Sequence, residues 1–123
     1  MKIYLAPMEG ITGEVYRRAY HTFFEPMDKY FTPFLNPNPK GKFSRQEWNE
    51  ILPENNEGMY TVPQILTNHA EDFIRLARQL KEFGYEEVNL NLGCPSKTVV
   101  NRKRGSGFLF YPDELNHFLK FPL

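Results

Sequence analysis

Strand-like apolar runs alternate with amphipathic helical stretches along this chain, and that alternation limits the fold more than any other feature. Ile3-Tyr4-Leu5-Ala6 reads as a short strand stopped by Pro7. A helix is predicted from Glu14 to Phe24, because Val15, Tyr16, Ala19, Tyr20 and Phe23 share one face, with Thr12 as its N-cap. Tyr30 to Leu35 forms a second strand that Pro33 interrupts, and Asn36-Pro37-Asn38-Pro39-Lys40-Gly41 is a loop. Ser44 and Glu47 have the spacing of a capping box and open a helix through Trp48, Ile51 and Leu52. Met59 to Leu66, again carrying a Pro (Pro63), is the third strand. Asn68 and Glu71 form a cap-like pair ahead of the apolar stripe Phe73, Leu76, Ala77, Leu80 and Phe83, and Gly84 ends that helix. Glu87 to Leu92 alternates with period two as a fourth strand, and Tyr111-Pro112-Asp113 opens a last short helix using Leu115, Phe118 and Leu119. Four strand–helix units in series argue for a parallel sheet covered by helices, with functional groups at the C-terminal ends of the strands.

Size narrows this further. The chain has 123 residues. That fits one domain and is too short for a complete eight-stranded α/β barrel, which needs about 200–250 residues. Hydrophobic residues at 41% and aromatics at 15% suffice for a core and exclude global disorder. No apolar run approaches the roughly 18 residues of a membrane span, and Pro7 breaks the N-terminus too early for a signal peptide. The single Cys excludes an internal disulfide, so a cytoplasmic location is expected. Fifteen basic against fifteen acidic residues exclude a globally basic nucleic-acid binder but leave room for a local patch.

The most informative segment is Asn89-Leu90-Asn91-Leu92-Gly93-Cys94-Pro95-Ser96. Val88, Leu90 and Leu92 face one side of the strand, and Asn89 and Asn91 the other. A central parallel strand is usually apolar on both faces, so two amides on one face require either protein partners or a ligand. Gly93 and Pro95 shape a tight exit that presents Cys94 at the strand end; a buried structural thiol fits the same position. Ala6-Pro7-Met8-Glu9-Gly10 holds the corresponding place after the first strand. Its Pro and Met suit a flat ligand, and an ordinary strand-to-helix turn accounts for it equally. Gln64 lies near the end of the third strand, where its amide offers both a donor and an acceptor to a heterocycle edge.

From Val88 to Pro112 the chain carries Lys97, Arg102, Lys103 and Arg104 but no acid. Such a stretch attracts phosphate backbones, and a solvated basic loop has the same composition. Gly105-Ser106-Gly107 resembles part of a phosphate-binding loop without the rest of that fingerprint. His21, His69 and His117 have no metal-ligand spacing with one another or with Cys94, so no metal is expected.

The order of these elements is specific. Ala6-Pro7-Met8-Glu9-Gly10-Ile11-Thr12, Gln64-Ile65-Leu66, Asn89 to Pro95, Val100-Asn101-Arg102-Lys103 and Gly105-Ser106-Gly107-Phe108-Leu109 together resemble the tRNA-dihydrouridine synthase family, over nearly the whole chain from Ile3 to about Leu119. The resemblance implies an FMN-binding α/β barrel followed by a helical domain, reduction of tRNA uridines to dihydrouridine, and NADPH as the reductant of the flavin. It implies that Pro7, Met8 and Glu9 line the flavin, that Gln64 bonds the isoalloxazine edge, and that Asn91 holds uracil or flavin. Reduced flavin delivers hydride to C6 of uracil, and C5 then needs a proton from the other face. The resemblance makes Cys94 the donor of that proton, a role within the chemistry of a thiol. The target base must be turned out of the tRNA into the pocket, with Lys97, Arg102, Lys103 and Arg104 on tRNA phosphates near its mouth.

Against that family, residues 1–123 supply about four of eight β/α units. The expected fold is α/β: the N-terminal half of a TIM (β/α)8 barrel, a partial FMN-binding domain lacking the second half-barrel and the helical tRNA-binding domain. The resemblance places a flavin-contacting Lys and a His on the fifth and sixth strands, and the loops gripping the FMN phosphate after the seventh and eighth. The chain is therefore expected to be an N-terminal fragment or truncated product, inactive alone, that self-associates through open strand edges and apolar faces. Two other readings remain open at this stage: another FMN-dependent barrel oxidoreductase, such as a dihydroorotate-dehydrogenase-like enzyme, and a non-catalytic half-barrel remnant.

Overall fold

The computed structural model describes residues 1–121. In chain order its elements are β1 (Tyr4–Leu5), α1 (Glu14–Phe23), β2 (Lys29–Phe31), α2 (Arg45–Ile51), a 3-10 turn (Pro53–Asn56), β3 (Thr61–Val62), β4 (Gln64–Ile65), α3 (Ala70–Glu82), β5 (Asn89–Leu90), α4 (Lys97–Val100), a second 3-10 stretch (Gly105–Phe110) and α5 (Pro112–Leu119). Strands β1, β2 and β3 form one parallel sheet, with Leu5 opposite Tyr30 and Tyr30 opposite Thr61. Strands β4 and β5 form a second parallel pair, with Gln64 opposite Asn89. The result is a small α/β domain of parallel strands, as part of a β/α barrel would be.

The two prolines explain why the strands are shorter than predicted. Pro63 separates β3 from β4, and the run changes partner there: β3 pairs with β2, and β4 pairs with β5. Pro63 has no N–H to give a ladder, but its carbonyl still accepts from Asn89 N at 2.9 Å. The second strand stops before Pro33. Thr32 Oγ1 accepts from Gln64 N at 3.1 Å, so a hydroxyl takes the place of a backbone acceptor, and pairing resumes at the Leu35–Ile65 bridge.

The main core lies between the strands and helices α2 and α3. Leu35, Ile51, Ile65, Leu76 and Leu80 are buried together, with Phe43, Phe73, Phe83, Tyr85 and Val88 packed around them. The predicted stripe of α3 therefore faces the core. Burying Leu76 and Leu80 stabilises by about 1.5–3 kcal/mol each. Gly84, at φ 96°, ends α3: its N–H donates to Lys81 O and that of Tyr85 to Leu80 O, a Schellman closure. The capping box of α2 forms, with Glu47 N donating to Ser44 Oγ at 3.1 Å and Ser44 N to Glu47 Oε1 at 2.9 Å.

Two other caps differ from expectation. Gly13, not Thr12, is the N-cap of α1. Thr12 Oγ1 instead accepts from Met8 N at 2.7 Å, and the turn after β1 closes on itself. His69 is the N-cap of α3, and Asn68 Nδ2 donates to Arg102 O at 3.1 Å, tying two distant loops.

Helix α1 departs most from its pattern. Val15 (65%) and Phe23 (78%) are exposed, and the helix's buried side chain is Arg17. The apolar stripe that predicts this helix is real, but no described residue covers it.

At the N-terminal ends of the strands, Lys29 Nζ bonds both carboxylate oxygens of Glu87, at 2.9 and 2.8 Å. It also lies over the rings of Tyr4 and Tyr60. Residues preceding or opening four strand segments thus meet at one polar floor, away from the site described next.

Candidate functional site

The C-terminal ends of the strands converge on a cavity of about 380 Å3, lined by Pro7, Glu9, Pro33, Phe34, Gln64, Leu90, Asn91, Leu92, Gly93 and Cys94. That volume lies within the usual range for small-molecule sites, about 300–1,000 Å3. Four of the five strand segments contribute, with Pro7 and Glu9 after β1, Pro33 and Phe34 after β2, Gln64 from β4, and Leu90 to Cys94 from β5 and its exit.

The amides on β5 have protein partners. Gln64 Nε2 donates to Asn89 Oδ1 at 2.8 Å, and Asn91 Nδ2 donates to Gln64 Oε1 at 2.8 Å. Asn91 Oδ1 then accepts from the backbone N–H groups of Gly93 (3.1 Å) and Cys94 (3.0 Å). A relay therefore runs from Asn89 through the buried Gln64 to Asn91 and on to the turn that carries the thiol. Each side-chain amide has two N–H groups, so Gln64 and Asn91 each keep one donor uncommitted within this network. Asn91 Oδ1 has both lone pairs engaged. The site can offer N–H donors to the acceptor atoms of a heterocycle, backed by the flat apolar surfaces of Pro7, Pro33, Phe34, Leu90 and Leu92.

Cys94 is half-buried, and the chain folds back on it. Ser106 donates to Cys94 O from its backbone N–H (3.0 Å) and its hydroxyl (2.9 Å). Gly105, at φ 57°, allows this approach: a Cβ there would lie 2.7 Å from Cys94 O. The Gly-Ser-Gly triplet packs against the Cys turn and does not line the cavity.

The other sequence-predicted residues divide. Pro7, Glu9, Gln64, Asn91 and Cys94 come together, whereas Met8 does not join them. Its side chain is exposed (58%), its N–H is taken by Thr12, and its carbonyl accepts from Ile11 and Thr12. Lys97, Arg102 and Lys103 are exposed, Arg104 is half-buried, and none of the four lines the cavity. Lys103 Nζ sits 4.3 Å from the Tyr111 ring centroid and 3.5 Å from Glu114. Partial burial, and then the charge of Arg102, pull the Arg104 guanidinium below its ordinary pKa.

Sequence reasoning missed the site roles of Pro33, Phe34 and Ser106. Pro33 and Phe34 follow a strand just as Pro7 does, and that position was the available signal. Ser106 had none, because its partner lies twelve residues away across a turn.

The lining suits the ring of the FMN expected from the resemblance, with flat apolar walls and amide donors. Its one charged residue is Glu9, so these residues provide no counter-charge for a phosphate. A larger cleft of about 640 Å3, between the start of α3 and α5, is lined by Asn68, His69, Glu71, Asp113, Glu114 and His117 among others. Among the described residues, no group of three or more His, Cys, Asp or Glu is placed to hold a metal ion, and no helix is long and apolar enough to cross a membrane.

Residues 4–121 match the family described as dihydrouridine synthase. The chain is 29% identical over 118 residues to tRNA-dihydrouridine synthase B of Pasteurella multocida, covering 96% of this chain and 35% of that protein. It is 33% identical over 113 residues to a probable tRNA-dihydrouridine synthase of Staphylococcus aureus strain COL, covering 89% and 33%. A probable tRNA-dihydrouridine synthase of Staphylococcus epidermidis strain ATCC 12228 is 30% identical over the same shares. The chain spans about a third of the length of the curated relatives it matches.

Proposed function

The chain belongs to the dihydrouridine synthase family, and from that premise we propose that it forms the thiol-bearing part of an FMN-dependent site that reduces uridine in tRNA. The observation that carries this reading is the convergence of Cys94, Asn91 and Gln64 on one cavity at the strand ends. When bound, FMN supplies a hydride to C6 of the pyrimidine. Gln64 and Asn91 direct their free amide N–H groups to acceptor atoms of the flavin and the uracil, while Pro7 and Glu9 flank the ring. Cys94 Sγ–H gives its proton to C5 of the base on the face opposite the hydride. The base is extruded from the tRNA to reach the cavity, and Lys97, Arg102, Lys103 and Arg104 meet phosphates outside it. NADPH is the reductant, and the cytoplasm the compartment.

In this reading residues 1–123 are four β/α units of an eight-unit barrel, a partial FMN-binding domain. The FMN phosphate is held by residues other than those lining this cavity. The isolated chain reduces no uridine, and its open flanks lead it to self-associate.

The test uses a chimera in which this chain replaces the corresponding third of the Staphylococcus aureus relative. With unmodified tRNA, NADPH and FMN, dihydrouridine should form. Cys94→Ala should leave flavin reduction by NADPH intact and slow uridine reduction by about 10²–10⁴-fold, the range for loss of a general acid. Unchanged dihydrouridine formation in Cys94→Ala refutes the proton role. The chimera also meets the remnant reading: dihydrouridine formation refutes it, and a folded chimera that neither binds FMN nor forms dihydrouridine supports it.

A further inference from the structure

Gly105-Ser106-Gly107 has the composition of a phosphate loop, but its contacts are with the Cys94 turn. We propose that Ser106 is a positioning residue for Cys94, its hydroxyl holding the peptide that aims the thiol. The proposal rests on the reading of Cys94 as proton donor for its catalytic meaning, but not for its geometry.

The Cys94 peptide is gripped from both sides. Its N–H donates to Asn91 Oδ1 at 3.0 Å, and its carbonyl accepts twice from Ser106, at 3.0 Å from the backbone N–H and 2.9 Å from the hydroxyl. The residue after it, Pro95, has no N–H and restricts the backbone of Cys94. With the peptide planes on both sides of the Cys94 Cα held, the Sγ position depends on one side-chain torsion alone.

The sequence around Ser106 is what this grip requires. A Cβ on Gly105 would lie 2.7 Å from Cys94 O, 2.8 Å from Val99 Cγ1 and 3.0 Å from Cys94 Cβ. A Cβ on Gly107 would lie 2.8 Å from Val100 Cα and Val100 O. Gly107 excludes a side chain because it packs on the Val100 backbone, and Gly105 because it packs on the Cys94 carbonyl and the Val99 side chain; Ser106 between them reaches the Cys94 carbonyl. Asn68 Nδ2 holds the same loop from its other end, at Arg102 O. A proton donor must meet one carbon on one face of a flat base, and misplacement by about 1 Å can cost about 100-fold in rate. A hydroxyl that adds a second bond to the Cys94 carbonyl narrows that error.

Cys94 is the chain's single cysteine, so its alkylation reads the clamp directly. The rate of reaction with iodoacetamide is measured across a range of pH for the unmodified chain, Ser106→Ala and Ser106→Thr, with urea unfolding of each in parallel. Ser106→Ala should raise the rate about 3-fold or more throughout the profile, because a freed turn exposes a half-buried thiol. Ser106→Thr, which keeps the hydroxyl, should stay within about 2-fold of the unmodified chain. An unmodified rate in Ser106→Ala, or equal acceleration in both variants, overturns the proposal. Should Ser106→Ala fail to fold, hydrogen exchange in the unmodified chain decides. The Ser106 amide should be protected like those of α3, and exchange at the rate of an open loop overturns the clamp. These outcomes are separate from the proton role: Cys94→Ala that still reduces uridine refutes that role and leaves the clamp standing.

Discussion

Arg17 Nη1 donates to Glu50 Oε2 at 2.6 Å, with the guanidinium fully buried and the carboxylate nearly so. Its Nη2 also donates to Glu50 O and Asn56 Oδ1, and Nη1 to Thr12 O, so one side chain joins α1, α2, the 3-10 turn and the loop after β1. Removing one member of a buried pair leaves the other charge without compensation, which typically costs about 3–5 kcal/mol. Arg17→Met should therefore lower unfolding free energy by about that amount in urea titration. Arg17→Met with Glu50→Leu should recover a large part of it. Equal loss in the single and double variants would place the damage in packing and not in the stranded carboxylate.

Tyr85 predicts an alkaline limb. Its hydroxyl donates to Ile51 O at 2.6 Å beneath the core, and burial, offset slightly by Arg17, pushes its pKa up to about 12. A folded pKa above the unfolded value of 10.0 means that the neutral phenol's contribution is complete below about pH 10. It is lost as pH rises toward 12. Two units correspond to about 2.7 kcal/mol, and partial exposure of the ring reduces this to about 1–2 kcal/mol. Tyr85→Phe should remove that slope and cost about 1 kcal/mol at neutral pH for the lost hydrogen bond. Denaturant titrations at neutral and alkaline pH measure both, and an unchanged alkaline slope in Tyr85→Phe contradicts the assignment.

The floor cluster predicts an acid limb as well. The hydrogen bond from Lys29, then that from Tyr60, hold the Glu87 carboxyl below its ordinary pKa against a desolvation cost that raises it. Its contribution is present above the unfolded value and disappears as pH falls through the depressed one. The bond to Glu87 raises both Lys29 and Tyr60, so their contributions last until pH climbs through those raised values. Glu87→Gln should flatten the fall in melting temperature between about pH 5 and 3, and about 1 M salt should flatten it in the unmodified chain. A full acid slope in Glu87→Gln would assign it to other carboxylates.

Residues whose role follows from local pattern were legible in the sequence. The α3 stripe, the Ser44–Glu47 box, the Gly84 stop and the Cys94 turn depend on neighbours within a few positions. Pro7, Gln64, Asn91 and Cys94 could be placed at strand ends from the order of elements alone. What was not legible depends on long-range partners. Arg17 sits in a helix whose apolar residues predict the opposite buried face, because its acceptors, Glu50 and Asn56, are more than thirty residues away. Thr12 and Asn68 look like caps and bond elsewhere, since a short polar side chain takes whichever acceptor or donor the tertiary fold brings nearest. The amides of β5 demanded partners in the sequence, but only the register of β4 on β5 identifies Gln64 as that partner.

The apolar flanks predict how copies of this chain meet. Val15, Tyr16 and Phe23 of α1 and Phe24 at its C-cap are exposed in the segment that follows β1; Leu109, Phe110 and Leu119 are exposed in the segment that follows β5. β1 pairs only with β2 and β5 only with β4, so each keeps one edge unpaired among the described residues. Continuing the parallel sheet from copy to copy brings the β1 flank of one copy to the β5 flank of the next, whereas antiparallel pairing of two β1 edges makes a two-fold dimer. The head-to-tail contact closes as a ring or grows as an open chain. Sedimentation velocity should show association that rises with concentration, and Phe23→Glu or Phe110→Glu should each weaken it. The decisive sample is an equimolar mixture of those two variants, in which each retains one intact flank. It should form a dimer through the single unaltered contact, whereas α1-to-α1 pairing would leave Phe110→Glu as associated as the unmodified chain. A monodisperse monomer at all concentrations would mean that these apolar flanks do not drive self-association.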